Sequence, residues 1–86
     1  MRFTVVVNTL DRADSLRRTL EALKFQSHEA FEVVVVNGPS ADHTEAVLAE
    51  YDGRIKHLSC PVANLSISRN IGIRAAAGDV VAFIDD

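Results

Sequence analysis

Four short apolar runs alternate along the chain with three stretches whose apolar positions recur at helical spacing. The first run is Phe3 to Val7 and the second is Phe31 to Val36. The third, Arg54 to Leu58, is weaker because polar and apolar residues alternate in it, and the fourth covers Asp79 to Ile84. β-Branched residues suit an extended backbone, and a run that is apolar at consecutive positions must be covered on both faces, as in a parallel sheet flanked by helices.

Between the first two runs, Leu16, Leu20 and Leu23 fall at i, i+4 and i+7, which predicts a helix capped by Asp11 or Asp14. Between the second and third, Asp42 and Glu45 have the spacing of a capping box, Val47, Leu48 and Tyr51 form an apolar stripe, and Gly53 ends it. Between the third and fourth, Ile67 and Ile71 lie one turn apart. Ser68, Gly72 and Ala76 make a narrow stripe of small side chains through which this third helix can approach a sheet closely, and Gly78 is read as its stop. The alternation predicts one α/β domain over residues 1–86, a doubly wound, mostly parallel, Rossmann-like sheet of four strands in the order 3-2-1-4 with three helices. Winding reverses between strands one and four in that order, so a ligand crevice is expected beyond their carboxyl ends. Asn8-Thr9-Leu10-Asp11, the loop from Asn37 to Thr44, and Asp85-Asp86 would border it.

Composition narrows the partners. The chain is 48% hydrophobic and 24% charged with a net charge of −3, and its nine Lys and Arg are scattered, so a nucleic-acid partner is not expected. The single cysteine, Cys60, cannot form an internal disulfide and reads as a small apolar filler beside Pro61. The chain enters its first strand at once, leaving no room for a signal peptide. No apolar segment approaches the ~20 residues of a membrane span, so a cytoplasmic protein is expected. His28, His43 and His57 show no metal-ligand spacing and read as surface residues.

The loops carry the candidate chemistry. No glycine-rich dinucleotide fingerprint follows the first strand, and no P-loop occurs anywhere. Asp85 and Asp86 are two hard oxygen donors that either hold Mg²⁺ or Mn²⁺ against phosphate or are solvated turn residues. Asn37 either reads a base edge through its amide or belongs to an Asn-Gly-Pro-Ser turn in which Gly38 is free to adopt positive φ. Thr9 and Asp11 either contact a ligand or cap the first helix. Arg69 and Asn70 sit near the start of the third helix, an end attractive to anions, although a lone Arg there is often only solvated.

Taken in order, VVVNTLDRADSLRRTLEAL, FEVVVVNGPSADHTEAVL and NLSISRNIGIRAAAGDVVAFIDD resemble the N-terminal half of the nucleotide-binding domain of family 2 glycosyltransferases, which have the GT-A fold. The resemblance covers essentially the whole chain. It implies sugar transfer from a nucleotide-diphosphate sugar donor to an acceptor, assisted by Mg²⁺ or Mn²⁺. Thr9 and Asp11 inherit a place in the nucleoside pocket. Asn37 stands where the family usually has an acid that contacts the base. Arg69 and Asn70 match an Arg-Asn near base and ribose, and Asp85 and Asp86 match the opening of an Asp-x-Asp motif near ribose and metal.

The resemblance further implies that the last acid of that motif, the catalytic base and the acceptor region lie C-terminal to residue 86. The chain is then expected to be an incomplete, N-terminal nucleotide-sugar-binding part of a GT-A domain, inactive alone, whose last strand sits at an exposed sheet edge open to association. The intact enzyme would then work in the cytoplasm or at the cytoplasmic face of a membrane. Two rival readings are a non-catalytic nucleotide- or partner-binding subunit and a GT-A nucleotidyltransferase, the latter disfavoured because a glycine- and basic-rich loop after the first strand is absent.

Overall fold

The computed structural model describes residues 3–24 and 31–85. The elements follow in the order β1 (Phe3–Thr9), α1 (Ala13–Lys24), β2 (Phe31–Asn37), α2 (Thr44–Glu50), β3 (Lys56–Ser59), α3 (Leu65–Ala75) and β4 (Val80–Asp85). The four strands form one parallel sheet in the order β3-β2-β1-β4, as expected.

Alternation along β1 sends Val7 to one face of the sheet and Val6 to the other. On the first face Val7 and Val35 pack with Ala13, Leu16 and Leu20 of α1 and with Val47 and Leu48 of α2. On the second, Val6, Val34, Val36 and Cys60 form a separate cluster against Ile71 and Ala75 of α3. Two helices on one face and one on the other make the sheet doubly wound. Burial of Val6, Val7, Val34, Val35 and Val36 explains why these strands read as unbroken apolar runs. Cys60 is a buried core residue whose Sγ lies 3.2 Å from the Val62 carbonyl oxygen.

Several local expectations change. β1 and β2 run two residues and one residue beyond their apolar stretches, so Asn8, Thr9 and Asn37 belong to strands. The third strand begins at Lys56, because Arg54 closes the turn after α2 with its N–H on the Tyr51 carbonyl. Although one turn apart, Ile67 is 43% exposed while Ile71 packs against the core cluster on the sheet. Ser68 and Gly72 do form the buried stripe, and a Cβ on Gly72 would lie 2.5 Å from Val6 Cγ1, so the helix rests directly on β1. Gly78 does not stop the helix, which ends at the extended residue Ala76. Its constraint is close approach to β1, where an added Cβ would sit 2.8 Å from the backbone of Phe3 and Thr4.

Candidate functional site

The carboxyl ends of the strands bring two loops together. Asp11, between β1 and α1, is in the left-handed region at φ 53°, whereas Gly38, between β2 and α2, does not adopt the positive φ open to it. Its Oδ1 accepts the Ala41 N–H at 2.6 Å and the Asp42 N–H at 3.3 Å. Asp42 replies from the other loop: Oδ2 accepts the Ala13 N–H at 3.1 Å, while Oδ1 accepts the N–H and hydroxyl of Thr44. Neither Asp11 nor Asp14 therefore serves as the cap foreseen for α1; the carboxylate that receives the Ala13 N–H comes from the β2–α2 loop. The capping box of α2 is also not formed, since Asp42 bonds Thr44 and Glu45 accepts from Asn37 Nδ2 at 3.0 Å. A Ser40 hydroxyl that accepts from the Asp11 N–H and donates to Asn37 Oδ1, together with Gly38 N–H on the Thr9 carbonyl, completes the clasp.

The Thr44 hydroxyl bond is the main reason the Asp42 carboxyl sits below its ordinary value, with the Ala13 N–H assisting. A depressed carboxyl pKa contributes stability that is present above the unfolded value and lost as pH falls through the folded one. Asp42→Asn leaves one acceptor oxygen where two are used. The variant is expected to have a lower urea midpoint than the parent at pH 7, with the gap closing below about pH 4. A gap that is constant from pH 7 to pH 3 would contradict this role.

On the α3 face, the strand ends open into a cleft of 310 Å³ lined by Asn8, Thr9, Leu10, Arg12, Gly38, Val62, Ala63, Asn64, Leu65 and Ser68. Asn64 caps α3 by accepting the Ile67 N–H at 3.0 Å, which directs the β3–α3 loop across the cleft as its outer wall. Asn8 Nδ2 donates to Ser68 Oγ at 2.7 Å and ties β1 to the first turns of α3.

The residues singled out from sequence lie along this edge in two groups. Thr9 and Asn37 are register partners whose side chains alternate to the α1 and α2 face; Thr9 Oγ1 is buried with no hydrogen-bond partner among the described residues, and Asn37 is 2% exposed with both ends of its amide engaged. Arg69 is on the other face. Its guanidinium lies 5.4 Å from the Phe83 ring of β4, and its buried Nε has no hydrogen-bond partner among the described residues. Asn70 is exposed on α3. Asp85 ends β4 as the register partner of Asn8, and Asp86 lies outside the described residues. Of the six nucleotide candidates only Thr9 lines the cleft. Asn8 and Leu10, expected at the border of the crevice, do line the cleft, whereas its wall from Val62 to Leu65 was not foreseen; the Asn64 cap preceding α3 was the available signal for it. His43 and His57 sit at the surface beside Asp14 and Asp52, while His28 lies outside the described residues.

No group of three or more His, Cys, Asp or Glu able to hold a metal occurs among the described residues. Of the two expected metal ligands, Asp85 is the last residue of β4, at the carboxyl end of the sheet. No described helix is long and apolar enough to cross a membrane.

A parallel sheet of order β3-β2-β1-β4 wound by helices on both faces is a Rossmann-like architecture, and its cleft lies at the carboxyl ends of β1 and β2 under the β3–α3 loop. Residues 4–86 match the family described as Glycosyl transferase family 2, and the chain belongs to that family. It is 32% identical to glycosyltransferase GlyA of Streptococcus pneumoniae serotype 4 across 98% of this chain and 12% of that protein. It superposes on S. aureus TarS 1–349 in complex with UDP with a TM-score of 0.83 and 29% identity, covering 99% of this chain and 27% of that one. Mannosyltransferase PcManGT from Pyrobaculum calidifontis, in complex with GDP-Man and Mn²⁺, gives a TM-score of 0.82 and 26% identity over 98% of this chain and 27% of that one. The chain thus spans about an eighth of the first and about a quarter of each of the other two.

Proposed function

We propose that the protein transfers a sugar from a nucleotide-diphosphate sugar donor to an acceptor, and that this chain is the N-terminal part that holds the donor nucleotide. The observation that carries the reading is the family match over residues 4–86, which includes every loop bordering the cleft. In this reading Thr9, Asp11, Asn37, Arg69, Asn70 and Asp85 surround the nucleotide. The Asp11–Asp42 clasp holds one side of the pocket still, and Arg69, braced on Phe83, keeps a cation beside α3 for an anionic ligand.

Asp85 and Asp86 would hold Mg²⁺ or Mn²⁺, which when bound supplies positive charge against the departing diphosphate. The binding of Mn²⁺ by PcManGT supports the choice of a divalent ion. The catalytic base and acceptor site belong to regions outside this chain, which alone would bind without turning over. A cytoplasmic setting, or the cytoplasmic face of a membrane, fits a donor that is a soluble nucleotide sugar. Edge association is favoured by β4, which pairs with β1 and leaves Phe83 40% exposed.

Calorimetric titration of UDP, GDP and TDP with and without Mn²⁺ tests the reading. At least one diphosphate is expected to bind, with affinity falling at least about tenfold when EDTA removes the ion or when Asp85 is changed to Asn. Absence of binding by every nucleotide in either condition overturns it.

A further inference from the structure

The cleft has a composition the sequence motifs do not account for. Its lips are apolar and exposed: Leu10 on the β1 side, Val62 and Leu65 on the β3–α3 side. Its wall between them carries a polar pair, Asn8 Nδ2 donating to Ser68 Oγ at 2.7 Å, on the face of the sheet where the residues one step below are Val6 and Gly72 in direct contact. The Val6–Gly72 contact already seats α3 on β1 without any hydrogen bond. An apolar pair at positions 8 and 68 would continue that seam and avoid the cost of partly burying an amide and a hydroxyl.

The pair also leaves hydrogen-bonding capacity over. An Asn side chain has two N–H donors and a carbonyl acceptor with two lone pairs, and the bond to Ser68 uses one donor. The amide is planar, so its remaining donor and its acceptor lie in one plane, and Ser68, having accepted from Asn8, keeps its own proton to donate. Both residues line the cleft. An amide edge between apolar lips is complementary to a flat ring that presents an adjacent donor and acceptor on its rim, the form of a nucleobase edge.

We infer that the Asn8–Ser68 pair is a specificity-determining element that reads the edge of the donor nucleobase, with Leu10, Val62 and Leu65 enclosing the ring. The inference rests on the donor-binding reading above and adds to it the groups that choose among bases. It assigns to Asn8 and Ser68 a role distinct from that of Asn37, whose amide is occupied by Ser40 and Glu45.

The test is the ratio of affinities within a panel of UDP, GDP, CDP and ADP, with inorganic pyrophosphate plus Mn²⁺ as a base-free probe. Ser68→Ala is a substitution that a helix favours, and Asn8→Thr keeps a strand-forming residue in β1. Each is expected to change the ratio between the best and second-best base about tenfold, the scale of a lost hydrogen bond, while pyrophosphate binding stays within twofold. If the parent binds nucleotides and both variants keep its base ratios, or weaken every probe equally, the pair only positions α3 and the inference is wrong while the donor-binding reading stands. If the parent binds no nucleotide, both fail.

Discussion

Changing Gly78 to Ala is expected to lower the unfolding free energy by about 3 kcal/mol, read as a drop in the urea midpoint at unchanged slope. The new Cβ would lie 2.7 Å from Thr4 Oγ1 and 2.8 Å from both the Phe3 carbonyl carbon and the Thr4 nitrogen. Two of those atoms are backbone of a sheet strand paired on both sides, so relief requires the α3–β4 connection to move away from β1. That motion breaks the Gly78 N–H bond to Thr4 Oγ1 and pulls on Glu32, which accepts from both Thr4 and Ala77. Natural domains have roughly 0.05–0.15 kcal/mol of stability per residue, so the loss is a large fraction for a chain of this size. Gly72→Ala is the informative comparison. Its nearest obstacle is the Val6 side chain, and helix propensity returns ~1 kcal/mol, so its cost is expected to be smaller than that of Gly78→Ala. The reverse order would show that the β1 contact of Gly78 is not what limits it.

Asn37→Asp is expected to cost roughly 3 kcal/mol at pH 7, the scale of leaving an uncompensated charge in a buried site. The substitution is nearly isosteric, but it turns the buried donor that faces Glu45 at 3.0 Å into a second carboxylate. Two like charges at that distance share a proton, which raises the apparent pKa of the pair in the folded state above its unfolded value. A raised carboxyl pKa destabilises above the unfolded value and ceases to do so below it. The deficit relative to the parent should therefore be full near pH 7 and shrink toward pH 4. A deficit that is flat with pH, or a variant as stable as the parent at pH 7, would mean that the Asn37–Glu45 bond is not the native arrangement. Because Asn37 joins Ser40 to Glu45, the same variant probes how far the β2–α2 loop depends on that amide.

The fold was legible because its strands are buried on both faces. Val5-Val6-Val7 and Val33-Val34-Val35-Val36 can be read as central strands from composition and continuity alone, and the small residues Ser68 and Gly72 announce a helix laid closely on the sheet. Helix ends were read less well. Asp11, Asp14, Asp42 and Glu45 all have plausible local capping spacings, and spacing cannot tell a carboxylate that bonds its own helix from one that bonds a neighbouring loop. The bond from Ala13 N–H to Asp42 spans residues far apart in sequence, so no local window contains it. Gly78 illustrates the same limit: a glycine after a helix looks like a stop signal, whereas its constraint is β1, more than seventy residues earlier in the chain.

The candidate site divides along the same line. Sequence order placed Thr9, Asn37 and Asp85 at the ends of adjacent strands, because strand order and the period of two follow from local pattern and from the handedness of the crossovers. It also carried the family likeness, since that depends on which residues succeed one another. Sequence could not say which face of the sheet each residue serves, that Asn37 is enclosed by Ser40 and Glu45, or that Asn8 and Ser68 meet across the wall of the cleft. Those are contacts between segments distant along the chain. Their geometry is set only when both helical layers close on the sheet, which is why tertiary packing, and no local propensity, decided them.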